Sequence, residues 1–166
     1  MKKCVLILML LFLLTGCGAK ETMETLGQVP HGPGEPAQLQ QVCLEVPEEA
    51  SVTVSGGETD LTMYECEGYT VYLQTFPSGD LQSTIRTLSG FAPEDLTVMN
   101  TTCGDHQRYD WVWTAAAEEG DMVCRGTVLD DGNYHYTLCV VAQSDVAGSL
   151  SEEWNTLFGS FCLEKS

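Results

Sequence analysis

The sequence predicts an α+β domain: an antiparallel sheet of about 6–7 strands flanked by a mid-chain helix and a C-terminal helix. Three observations carry this reading. Seven segments have the β-rich or alternating character of strands, in the order three strands, a helix, four strands, a helix. Asp131-Gly132 stands between two of the longest such segments, the pattern of a tight β-hairpin. Two stretches instead repeat apolar residues at helical spacing, around Leu81–Leu88 and Leu150–Phe161.

Taken in order, strand-like text opens at "QLQQVCLEVP" and stops at Pro47. An acidic, glycine-containing loop follows. "DLTMYECE" and "YTVYLQTF" then form a hairpin through Gly68. Pro77-Ser78-Gly79-Asp80 breaks the strand and offers Ser78 or Asp80 as a helix cap. Leu81, Ile85 and Leu88 lie on one face of the short helix, which Gly90 ends. "LTVMNTTC" and "QRYDWVWTAAA" are the next strands. In the second, Tyr109, Trp111 and Trp113 share one face, either as core or as the lining of a ligand pocket. The chain closes on a helix with Ser149 and Glu152 in capping-box spacing, and Leu150, Trp154, Leu157, Phe158 and Phe161 along its apolar side.

Before the domain, residues 1–16 have the layout of an export signal. Lys2 and Lys3 precede an apolar run from Val5 to Leu14, too short for a permanent transmembrane helix. Leu14-Thr15-Gly16-Cys17 resembles the lipobox of bacterial lipoproteins, in which the cysteine thiol takes a diacylglyceryl group and becomes the new N-terminus. The resemblance implies lipid attachment at Cys17 and a place on the extracytoplasmic face of the cell membrane. Residues 17–38, with Pro30, Pro33 and Pro36 among glycines, read as a flexible tether. Residues 39–166 form the single domain.

Cleavage before Cys17 removes Lys2 and Lys3 but no acid, so five basic residues face the same 24 acidic ones, a formal charge of −19. Such a surface repels phosphate backbones, which excludes nucleic acid as a partner.

Beyond Cys4 and Cys17, six cysteines remain, an even set suited to disulfides in an exported chain. With Asp131-Gly132 as the hairpin loop, Asp130 faces Asn133, and the same register sets Cys124 opposite Cys139 within disulfide reach. A four-residue loop from Asp130 to Asn133 preserves that pairing. Cys43 and Cys66 lie on neighbouring predicted strands and form the second pair, which leaves Cys103 with Cys162.

Chemistry-bearing motifs are few. Cys103 and His106 have Cys-x-x-His spacing, half of a zinc site, but no second compact pair completes it. There is no Cys-x-x-Cys redox pair, no nucleophile elbow and no phosphate-cradling glycine loop. No metal, cofactor or catalytic residue is therefore assigned. The reading is a membrane-anchored, non-catalytic domain that binds a ligand or an envelope protein or supports an envelope assembly. The alternatives are an extracytoplasmic enzyme assembling a site from Asp105, His106 and Asp110, and a ligand-capture protein using Trp111 and Trp113.

The opening "LEVPEEASV", the central hairpin, the mid-chain helix and the closing "LSEEWNTLFGSFCL", with Ser160-Phe161 near its end, resemble the PsbP/DcrB-like superfamily. The resemblance spans roughly residues 39–164. It implies the α+β fold above and an envelope accessory role, and it supplies no site residues.

Overall fold

The computed structural model describes residues 38–55 and 61–164. The predicted signal, Cys17 and nearly all of the tether lie outside the described residues. Among the described residues there are nine strands: β1 (Val42–Cys43), β2 (Ser51–Ser55), β3 (Leu61–Cys66), β4 (Tyr69–Pro77), β5 (Met99–Cys103), β6 (His106–Ala117), β7 (Gly120–Asp130), β8 (Tyr134–Gln143) and β9 (Cys162–Leu163). The helices are α1 (Leu81–Ser89), α2 (Ser144–Ala147) and α3 (Ser151–Ser160).

Seven strands form one antiparallel sheet in the order β2-β3-β4-β8-β7-β6-β5, and β1 and β9 form a separate two-stranded ribbon. The fold class is thus the one the sequence predicts. Two short pieces depart from it. β2 lies where a loop was expected, because Val52 and Val54 alternate with polar residues, yet both remain exposed on the edge strand. β9 is only two residues long and has no periodicity to read.

Alternation divides the sheet into two apolar faces. One carries Val71, Leu129, Tyr136, Leu138 and Val140, and is covered by Trp154, Leu157 and Phe158 of α3 together with Phe161 and Leu163. The other carries Tyr109, Trp111, Trp113, Val128 and Cys139, with Ile85 of α1 packed against them. Both faces are buried along the middle of β8, so Tyr134–Gln143 reads as mostly apolar text.

Helix α1 starts at the second of the two caps the sequence offers and ends at Gly90 as expected. Asp80 is the N-cap: Oδ1 accepts from the Gln82 backbone N–H at 3.1 Å, and Oδ2 accepts from Ser83 Oγ at 2.9 Å. Gly90 closes the helix in the left-handed region, φ 77°, where a side chain is strained, and its N–H donates to Arg86 O at 2.8 Å. Asp80→Ala is expected to lower stability by about 1 kcal/mol, read from urea denaturation, with Asp80→Asn recovering most of the loss.

The C-terminal helix starts differently from the expected capping box. α2 and a 3₁₀ turn at Gly148–Leu150 run directly into α3, so no free helix start is left at Ser149. Its Oγ instead donates to Val146 O at 2.7 Å.

Candidate functional site

Between α1 and the sheet the apolar packing is incomplete, leaving a cleft of ≈ 250 Å³. Its apolar wall comes from Leu81 and Ile85 of α1, Pro93 and Leu96 of the following 3₁₀ segment, and Val98. Asn100 of β5 and Tyr109 of β6, directly paired across the ladder, supply the sheet side, and Asp80 and Gln82 complete the polar rim. The spacing explains the cleft. α1 is only nine residues long and the chain then turns away through Gly90, so no further helical turn covers β5.

The lining suits binding more than bond breaking. Its titratable members are Asp80, committed to capping α1, and Tyr109, whose phenol is pushed up by burial and by the Asp130 charge. No nucleophile–base pair lines the cleft. The volume lies just below the usual range for small-molecule pockets and matches a compact apolar group or one inserted side chain.

One end of this face is fixed by a histidine that the sequence does not single out. His135 is 1 % exposed, its Nδ1 lies 2.8 Å from Thr84 Oγ1, and its Nε2 is 3.7 Å from Asp130 Oδ2. This pins α1 to β8 and sets one wall of the cleft. The signal available beforehand was weak: a histidine at an inward position in an otherwise apolar strand.

Trp111 and Trp113 do not line the cleft. They are 1 % and 8 % exposed and stack on each other at 6.0 Å, with Trp111 lying over Gly126 of β7. A glycine opposite a tryptophan is what lets the indole sink flat onto the sheet. Tyr109, on the same face at the cleft's edge, is the aromatic that meets open space.

The acid–base grouping of Asp105, His106 and Asp110 is not assembled. His106 and Asp110 are four residues apart on extended β6, roughly 13 Å along the strand. Asp110 is instead buried and committed. It accepts from Arg108 Nε at 2.9 Å and Nη2 at 3.0 Å, and Thr127 Oγ1 donates a short hydrogen bond to it. Burial opposes the charge on Arg108, but these bonds hold its pKa above the ordinary value. On the same face Arg125 lies over the Phe158 ring at 4.0 Å and donates to Asn155 at 3.3 Å. Two of the domain's few cations are therefore half-buried and engaged within the fold.

The cysteine register is corrected by the hairpin. Asp131, not Asp130, opens the turn: its Oδ1 accepts from the backbone N–H groups of Asn133 and Tyr134 at 2.8 and 2.7 Å, while Gly132 takes φ 88°. The loop is centred one residue later than expected, so every facing pair shifts by two. Cys124 faces Val141 and Cys139 faces Gly126. The two thiols are diagonal neighbours on one buried face, a separation of about 7–8 Å between backbones that a disulfide does not span unaided. Burial pushes both thiols up, Cys139 to about 12. Cys66 ends β3 opposite Tyr69, Cys103 ends β5 opposite His106, and Cys43 faces Cys162 rather than Cys66. The structure shows these six cysteines in their reduced form.

No family model matches the chain, and no curated protein is significantly similar to it in sequence. Solved structures are similar in fold. Cyanobacterial PsbP (CyanoP) from Synechocystis superposes with a TM-score of 0.56 at 10 % identity, over 84 % of this chain and 99 % of that one. The domain has a PsbP-like fold. LpqN of Mycobacterium tuberculosis, a protein involved in cell envelope biogenesis, gives a TM-score of 0.51 at 12 % identity, over 80 % of this chain and 88 % of that one. In this PsbP-like domain the cleft lies on the α1 face of the sheet, away from the face that α3 covers.

Proposed function

We propose that the chain is a lipid-anchored bacterial envelope protein whose PsbP-like domain is a non-catalytic binding or assembly accessory. The observation that carries the binding role is the cleft beneath α1, apolar inside, polar at its rim and without a nucleophile–base pair. Leu14-Thr15-Gly16-Cys17 supports lipid attachment at Cys17, and the acidic surface supports an exported, non-nucleic-acid role. The fold shared with LpqN, a protein of cell envelope biogenesis, supports the envelope setting.

Two measurements test this reading. Cys17→Ser is expected to abolish incorporation of labelled palmitate and move the protein from the membrane fraction to the soluble fraction. Retention of the variant in membranes contradicts a lipid anchor at this cysteine. For the binding face, a photo-crosslinking residue at Asn100 is expected to capture an envelope component in intact cells. The same residue at Val112, 58 % exposed on the opposite face of β6, is expected to capture none. Equal capture from both positions removes the cleft from the function.

A further inference from the structure

The two-stranded ribbon brings the beginning and the end of the domain together. β1 and β9 pair Val42 with Leu163 and Cys43 with Cys162, and the Glu164 N–H extends the contact by donating to Gln41 O at 2.9 Å. Alternation then sorts the side chains. Leu163 is buried and Val42 packs against the same apolar cluster, so Cys43 and Cys162 project to the other side, where both are partly exposed. Residues facing each other in an antiparallel ladder have Cα atoms about 4.5–5.5 Å apart, inside the range a disulfide spans.

We propose that Cys43 and Cys162 form a disulfide that fastens the β1–β9 ribbon across the domain's two ends. The other cysteines are less suited. Cys124 and Cys139 are buried and diagonal, and Cys66 and Cys103 end different strands of the large sheet opposite Tyr69 and His106. The ribbon is also where a covalent tie has most to add: each strand is two residues long, and the loop it closes is about 120 residues. On the lipid-anchored reading above, β1 is the first strand after the tether, so the bridge carries any pull on the anchor to the C-terminal strand.

The chemistry is thiol–disulfide exchange with a disulfide-bearing oxidant. The Cys43 thiolate attacks one sulfur of the oxidant's disulfide, forming a mixed disulfide and releasing one oxidant thiolate. The Cys162 thiolate then attacks Cys43 Sγ, forming the Cys43–Cys162 bond and releasing the second. Two cysteines are oxidised, one disulfide is reduced, and the two cysteine protons end on the oxidant's thiols.

The test uses the reduced, purified full chain incubated with oxidised glutathione, then alkylated and digested after glutamate without reduction. Cleavage at Glu45 separates Cys43 from Cys66, and cleavage at Glu152 and Glu153 separates Cys139 from Cys162. A linked peptide pair holding Cys43 and Cys162 is expected. The oxidised protein is expected to melt roughly 10 °C above the reduced one, and Cys43→Ser and Cys162→Ser to melt alike with and without reductant. Alkylated Cys43 and Cys162, or either one linked elsewhere, overturns the proposal. So does a wild-type melting temperature indifferent to reductant. The outcome is independent of the membrane anchor, which the Cys17 experiment decides separately.

Discussion

Asp110→Ala is expected to destabilise the domain by about 3–5 kcal/mol in urea denaturation. The Asp110 side chain is 11 % exposed, and its carboxylate accepts two hydrogen bonds from Arg108 and one from Thr127. Its removal leaves a guanidinium whose side chain is only 14 % exposed without its counter-charge, and takes away the acceptor of the Thr127 hydroxyl, which keeps only a long 3.4 Å bond from Arg108 Nη2. The cost arises from the stranded charge. Arg108→Leu combined with Asp110→Leu is therefore expected to lose much less than the sum of the single changes. A loss below about 1 kcal/mol for Asp110→Ala would mean that Arg108 swings into solvent and the pair contributes little.

Gly126→Ala is expected to cost about 3 kcal/mol, although alanine is ordinarily the better residue in a strand. An added Cβ would lie 2.6 Å from Cζ2 and 2.8 Å from Cε2 of Trp111. The indole cannot retreat, because Trp113 stacks against it and the ring is almost wholly buried. Trp111→Phe removes the atoms that clash, and also an indole N–H that finds no acceptor among the described residues. The double variant is expected to recover part of the loss, giving a favourable coupling between the two positions in a double-mutant cycle. Strict additivity would show that the cost comes from the backbone and not from this contact.

These two positions also show where the sequence ceased to be legible. Trp111 and Trp113 are visible as one face of a strand, but a stripe of aromatics reads the same way in a core and in a binding surface. Gly126 decides the matter, since the flat indole needs a partner without a Cβ directly across the ladder. Asp110 looked available for acid–base work because its neighbours in sequence include His106. Its partner Thr127 comes from the next strand, and strand extension carries His106 away. The cleft was foreseeable as a space between helix and sheet, whereas its lining residues depended on how far α1 reaches along β5 and β6.

What the sequence by itself determined was the α+β class, a helix α1 capped at Ser78 or Asp80 and ended by Gly90, and the hairpin near Asp131-Gly132. Each follows from forces acting within a few residues: side-chain alternation, capping of free N–H groups, and the positive φ that glycine accepts. The tertiary structure alone decided the register of that hairpin, the burial of the tryptophans and the meeting of Cys43 with Cys162. For the first, both aspartates accept N–H groups of the turn, Asp130 from Gly132 and Asp131 from Asn133 and Tyr134, so local bonding does not pick the loop centre and the assembled ladder does. The last joins residues about 120 apart through a ribbon too short to show any period. Only the packing of Val42 and Leu163 onto the core fixes which side chains are left to face each other outside it.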